Sequence, residues 1–400
     1  MTILLFNILM LLMIWIDLKH YNRQITPLAV IGTIYTILID LNNLILCRIY
    51  GYYIVTDQVL LILLGFFSAI FIQDLLFGTL YRSAHKISKK ITVRFRNYWI
   101  AALLFWIGTA AYSIQFIRLY SSRGLNIKGE NNGILGHLSS FAFILGPAVL
   151  DLALKSQKKV RIASAAALNL LVLLISVLFG GKYVIFINLS YFILYFLMKR
   201  NSQIEIGKII KIGFILVSAA AGVFFLFYYV IPRATGQYMS TVDFAIQHMF
   251  ESLVGSISAN NATVLRPGQG DSRIPFTVFI NMGKALMGNH DYVKSTYPFI
   301  FPIRPEYATN VSGFLGEIIY DLGIGGGLIY TLILFCIINI FCLQYRLKSL
   351  FYLSFCYSCA ITAFLFFCNF ISVSGVVLPL MLAFALDILS MCRFKHYYII

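Results

Sequence analysis

The sequence predicts an all-α polytopic membrane protein with about eleven transmembrane helices and one large external loop carrying short amphipathic helices. Three observations lead there. Apolar residues make up 60% of the chain and charged ones 12%, with a mean hydropathy of +0.86, whereas soluble domains carry about 25% charge. Apolar runs of about 20 residues, enough to cross a hydrocarbon core of roughly 30 Å as a helix, recur along the chain. One long polar segment, 232–312, interrupts them. The chain therefore reads as a single integral membrane domain, 1–400, with 232–312 as a loop within it.

The runs fall near 2–16, 28–46, 58–80, 98–117, 135–154, 162–179, 183–198, 213–231, 313–342, 350–368 and 371–390. The first lacks a basic leader and a small-residue cleavage site, so it reads as a span rather than a removed signal. The run at 313–342 is overlong, which predicts tilting or a break near Gly325-Gly326-Gly327.

The net charge of +16 is placed by topology rather than by nucleic acid. Arg82, Lys86, Lys89, Lys90, Arg94 and Arg96 crowd one loop, Lys155, Lys158, Lys159 and Arg161 a second, and Lys199, Arg200, Lys208 and Lys211 a third. All three loops fall on one side, which the positive-inside rule makes cytoplasmic. The 232–312 segment is then external, the N-terminus outside and the C-terminus inside. Of the seven cysteines, Cys336, Cys342, Cys356, Cys359 and Cys368 lie in apolar runs and none lies in the external segment, so no disulfide framework is implied.

The external segment mixes Arg233, Arg266, Arg273, Arg304, Lys284 and Lys294 with His248, His290, Asp271, Asp291 and Glu306, residues suited to binding an anion and moving a proton. Three spans have N-termini directed toward it. One begins Gly133-Ile-Leu-Gly136-His137, one follows Gly180-Gly181-Lys182, and one follows Thr309-Asn310-Val-Ser312-Gly313. Helix N-termini expose unpaired N–H groups and a partial positive charge, so three such ends form a candidate anion site. Lys182 either contributes to it or snorkels to the interface; His137 either contributes or hydrogen-bonds within the bundle.

Glu317 and Asp321, four apart, share a helix face that must look into the protein, either as catalytic carboxylates or as partners of a cation such as Arg273, Arg304 or Lys182. Asp151 and Lys155 have the spacing of a simple interfacial pair. Ser240 or Thr241 caps an amphipathic helix to about Leu253 that is expected to lie on the membrane surface, its stripe being Val242, Ile246, Met249, Phe250 and Leu253. A second apolar stretch, 274–287, ends at the turn-forming Gly288-Asn289-His290-Asp291. The two would roof a cavity suited to a ligand with a lipid tail and a polar head.

No DxD, no metal-ligand cluster and no P-loop occurs, so neither a metal nor a cofactor is expected and any group transfer must draw on an activated substrate. A polyprenyl diphosphate sugar fits, because arginines can stabilise its developing charge bidentately.

Gly136-His137 opening a span, the Gly180-Gly181-Lys182 turn, the large external loop, and Thr309-Asn310 followed by Tyr320-Asp321-Leu-Gly323-Ile-Gly325 occur in the order seen in a known family. The chain resembles the oligosaccharide repeat-unit polymerases of O-antigen and capsule synthesis, the Wzy type, over roughly residues 130–345. The resemblance implies a GT-C-like, metal-independent glycosyltransferase of the bacterial inner (plasma) membrane. It would transfer a growing glycan from undecaprenyl diphosphate to a new lipid-linked repeat unit on the external face, with a chain-length regulator and a flippase as partners. It implies arginines in external loops that bind the donor. On charge and location, Arg233, Arg273, Arg304 and Lys182 are expected to hold the diphosphate. Glu306, His248 or His290 is expected to take the acceptor proton, Glu306 first because it adjoins Arg304. His137, Asn310, Glu317 and Asp321 are expected to support them. An O-antigen ligase and, in a different class, a lipid-linked oligosaccharide flippase are the alternatives.

Overall fold

The computed structural model describes residues 2–85, 98–123, 133–179, 182–199, 205–230, 232–233, 241–295, 297–298, 300–348, 350–391, 393–394 and 397–398. It is dominated by helices, eight of them long and apolar enough to cross a membrane: Thr2–His20, Pro27–Tyr50, Asp57–Ser83, Tyr98–Ser121, Gly133–Ser156, Lys159–Leu178, Ile206–Val230 and Gly313–Leu347. The three remaining apolar runs of the sequence fold as shorter helices, Lys182–Lys199, Tyr352–Phe364 and Ser374–Met391. Large apolar side chains such as Leu61, Trp99, Leu103 and Val160 point outward, and only 22% of the Lys159–Leu178 window is buried. Such surfaces suit lipid rather than water, and the architecture is that of a helical, membrane-embedded protein.

The chain divides into two compact units. The second comprises Ala84–Asn201, Phe341–Ala360 and Gly375–Ile400. Pro147 lies inside the Gly133–Ser156 helix; nearby, the carbonyls of Gly146 and Ile144 accept from Asn169 Nδ2 at 3.1 Å and from the Tyr191 hydroxyl at 2.9 Å. Asp151 pairs with Lys155 at 2.9 Å, as its spacing predicts, and also with Lys199. Asp387 caps the Tyr352–Phe364 helix, accepting from the Ser354 amide at 2.9 Å and its hydroxyl at 2.6 Å.

The first unit comprises Met1–Ser83, Ser202–Ile340 and Ile361–Ser374. Its second helix starts at Pro27 behind the cap Thr26, which accepts from the Ala29 amide at 3.0 Å. It then loosens into a π-helical stretch, Leu41–Leu46. There Asn42 and Asn43 hold the following 52–55 stretch by its carbonyls and the Val55 amide, at 2.9–3.1 Å.

Within 232–312 the structure corrects two expectations. The amphipathic helix runs Val242–Ser258, past Leu253, with Thr241 as its cap; Ser240 lies outside the described residues. Its C-terminal half is packed in protein, with Leu253, Val254 and Ile257 at 0–1% exposed, whereas Val242, which begins the expected stripe, is 46% exposed. Within this helical fold the loop, expected to carry only short helices, also holds a short hairpin, Phe301–Arg304 with Tyr307–Thr309. It is anchored because the Ile303 carbonyl accepts from the Tyr53 amide at 2.9 Å and the Ser258 hydroxyl at 2.9 Å.

The Gly313–Lys348 helix holds 36 residues, about 54 Å at 1.5 Å per residue and too long for a membrane core of roughly 30 Å. It breaks at Gly323, whose φ of 73° and ψ of 174° favour a residue without a Cβ. The portion beyond the break, 324–348, is about 37 Å long and suffices to span. The half-helix before the break is held at its start by Glu317. The two carboxylate oxygens accept from the Ser312 amide at 3.3 Å and the Asn369 amide at 2.8 Å. Gly316 lets Asn260, Thr263 and Ser312 close around it: a Cβ there would collide with Asn260 Oδ1 and Ser312 Oγ and come within 2.6 Å of Thr263 Oγ1. Gly316→Ala should therefore cost about 1–3 kcal/mol through overpacking. Gly325→Ala, where a Cβ meets nothing within 4 Å, should be neutral or stabilising, and thermal unfolding of both variants in detergent checks the contrast.

Candidate functional site

The site is built where the Val242–Ser258 helix, the hairpin and the 50–53 stretch meet within the first unit. Residues 247, 248 and 251 fall on adjoining positions of one helical turn, and Arg304 closes the first hairpin strand opposite Tyr307. The Arg304 guanidinium donates from Nη2 to Glu251 Oε1 at 2.6 Å. Gln247, with its amide oxygen toward the guanidinium, accepts from Nη1 at 2.9 Å. The guanidinium carbon lies 3.9 Å from the Tyr307 ring centroid and 5.9 Å from that of Tyr52. Both partners are mostly buried, at 12% and 13% side-chain exposure. Arg304 Nε is buried too and finds no acceptor among the described residues.

Glu251 is shared. Its second oxygen lies 3.7 Å from His248 Nδ1, and that nitrogen also meets the Phe244 carbonyl at 3.1 Å. With Nδ1 engaged as donor, Nε2 carries the lone pair. The imidazole stacks on Phe244 at 3.9 Å and meets Tyr228 edge-on at 5.4 Å. Tyr228 bonds Ser252 at 2.9 Å, and its neighbour Tyr229 accepts a hydrogen bond from exposed Arg233, whose guanidinium lies 5.0 Å from the ring. Burial raises the Tyr52 hydroxyl pKa and the Glu251 charge adds to the effect, so Tyr52 stays neutral.

A second cluster sits at the helix break. The amides of Gly268 and Gly270 donate to the Ile319 and Tyr320 carbonyls at 3.0 and 2.8 Å, supplying partners where the helix stops. The Tyr297 hydroxyl accepts from the Asp271 amide at 3.0 Å and donates to Asp321. Asp271 pairs with Arg273 at 2.8 Å, and hydrogen bonds from the Arg273 side chain and amide pull its carboxyl down to about 2.

The residues singled out in the sequence thus separate. Arg304, His248 and Arg233 fall around Glu251 and the Tyr228-Tyr229 pair. Glu317 is a backbone cap and Asp321 a partner of Tyr297, so neither is the carboxylate beside Arg304. Arg273 is 66% exposed and committed to Asp271. His290 is exposed beside Tyr292, at 3.2 Å. Glu306 sits exposed at the hairpin tip with φ 64°, and Asn310 is half-buried in the bend after it.

The three expected helix ends fare similarly. The Gly313 and Phe314 amides already donate to the Phe367 and Leu365 carbonyls at 3.1 and 2.7 Å, so two of that end's donors are committed within the protein. In the second unit, His137 is exposed near the start of its helix. Lys182 opens another helix, but its side chain, with Gly180 and Gly181, lies outside the described residues.

Comparison of the chain with known protein families, with curated proteins and with solved structures finds no match. The site therefore stands on its own geometry. Gln247 and Glu251 are functional residues that the sequence does not join to Arg304. The missing link is the hairpin, which strands of four and three residues barely announce. The His248–Glu251 i,i+3 spacing was the available signal.

A buried ion pair is costly to halve and cheap to replace whole. Glu251→Leu or Arg304→Leu alone should destabilise by about 3–5 kcal/mol, and the double variant should lie closer to wild type than either single one. Chemical unfolding in detergent measures the cycle.

Proposed function

We propose that this protein polymerises polysaccharide, joining undecaprenyl-diphosphate-linked oligosaccharide repeat units on the external face of a bacterial plasma membrane. The eight long helices and three shorter apolar ones supply the eleven crossings of a GT-C-like glycosyltransferase, with 232–312 as its external segment. A flippase that delivers repeat units and a regulator of chain length are the partners this role requires.

The observation that carries the reading is the Arg304–Glu251–His248 constellation, flanked by Arg233, in the one polar segment between apolar helices. In the step it supports, the acceptor hydroxyl oxygen attacks the donor's anomeric carbon. The bond from that carbon to the phosphate oxygen breaks, and the diphosphate leaves with the electron pair. Arg304, oriented by Glu251, and Arg233 stabilise the charge that develops on the leaving group. His248 Nε2 takes the hydroxyl proton, with Glu251 and the Phe244 carbonyl fixing the ring and stabilising the imidazolium that forms. This moves the base from Glu306, exposed at the hairpin tip, to His248.

The test is purified protein in lipid nanodiscs given a lipid-linked repeat unit. A ladder of products supports the proposal; a single transfer to lipid A core would mean a ligase, and passage across vesicles without new bonds a flippase. In the same assay His248→Gln should lower turnover by about 10²–10⁴, while Glu306→Gln should stay within about two-fold of wild type. Equal losses in the two variants would remove His248 from the base role.

A further inference from the structure

We propose that the helix Thr277–Leu286, with the turn Ile274–Phe276 leading into it, lies flat in one leaflet of the membrane with Phe276, Phe279, Met282 and Leu286 among the acyl chains. This interaction surface is independent of the reaction assigned above.

Those four residues recur every three or four positions and so share one face of the helix. All are exposed, Phe279 at 55% and Leu286 at 89%, and Met287 continues the face at 77%. The opposite face is committed to protein: Thr277 and Val278 are buried, and the Asn281 amide exchanges hydrogen bonds with the Val293 carbonyl and amide at 2.9 and 2.8 Å. The orientation is therefore fixed, with its apolar side turned outward.

A second observation says what covers that side. The Pro275 carbonyl accepts from the Tyr330 hydroxyl at 3.1 Å, and the Phe276 ring meets Tyr330 edge-on at 5.5 Å. Tyr330 is seven residues past the Gly323 break, about 10 Å along the segment that spans the membrane. Helices that lie in a bilayer interface bury their apolar face about 5–10 Å deep. The turn is pinned at that level, so the adjoining apolar face meets hydrocarbon. Charge agrees: residues 265–295 hold four basic side chains against two acidic ones, suited to anionic headgroups.

The test uses the full chain in phosphatidylethanolamine–phosphatidylglycerol nanodiscs, with Trp15, Trp99 and Trp106 replaced by Phe and one tryptophan returned by Phe279→Trp, Leu286→Trp or, as a water-facing control, Tyr292→Trp. Acyl-brominated lipids should quench the Phe279→Trp and Leu286→Trp emission about two-fold or more and leave Tyr292→Trp unchanged. Red-shifted, unquenched emission at positions 279 and 286 would place the helix in water. Blue-shifted but unquenched emission would place it under a protein partner or a second copy. Either result overturns the proposal.

Discussion

Backbone polar groups at membrane depth must find partners inside the protein, because lipid offers none. In the first unit that requirement centres on the start and break of the Gly313–Lys348 helix. A carboxylate, Glu317, takes two amides that would otherwise be stranded. The 365–367 turn takes two more, and the Gly268–Gly270 loop supplies donors where the helix stops. Glu317 lies within a predominantly apolar run where it takes backbone amides, Asp321 is held by the Tyr297 hydroxyl, and their i,i+4 spacing puts both on the protein-facing side.

Satisfying the break also organises the external segment. Residues 268–276 track the helix across Gly323 as far as Tyr330, which sets the level at which Thr277–Leu286 begins. The hairpin is held by a backbone bond from Tyr53 and by the Ser258 hydroxyl at the end of the Val242–Ser258 helix, which bring Arg304 beside Glu251. In this partly dehydrated setting a guanidinium is retained only if its charge is matched. Glu251 matches it, and through its second oxygen orients His248. The same carboxylate thus holds Arg304 and lies beside the His248 imidazole.

The tyrosines complete the arrangement in a way that composition alone would not reveal. Tyr307 and Tyr52 flank the guanidinium, and Tyr228 and Tyr229 connect His248 to Arg233. The Tyr228 and Tyr229 hydroxyls bond Ser252 and Arg233, and the Tyr52 ring is buried, so apolar rings and polar groups adjoin here.

The sequence by itself determined the helical, membrane-embedded class, the position of nearly every long helix and the overlength of one of them, which the structure breaks at Gly323. Each rests on a signal local in sequence: apolar length, glycine, or a cap such as Thr241. Tertiary structure alone decided the partners. That Arg304 meets Glu251 across 53 residues, that Glu317 accepts from two backbone amides, and that the 277–286 helix turns its apolar face outward while the C-terminal half of 242–258 is buried are all consequences of which faces the fold covers. Hydrophobic periodicity is the same for a stripe turned toward lipid and one turned toward protein, and charge spacing does not name a partner brought near by a distant hairpin.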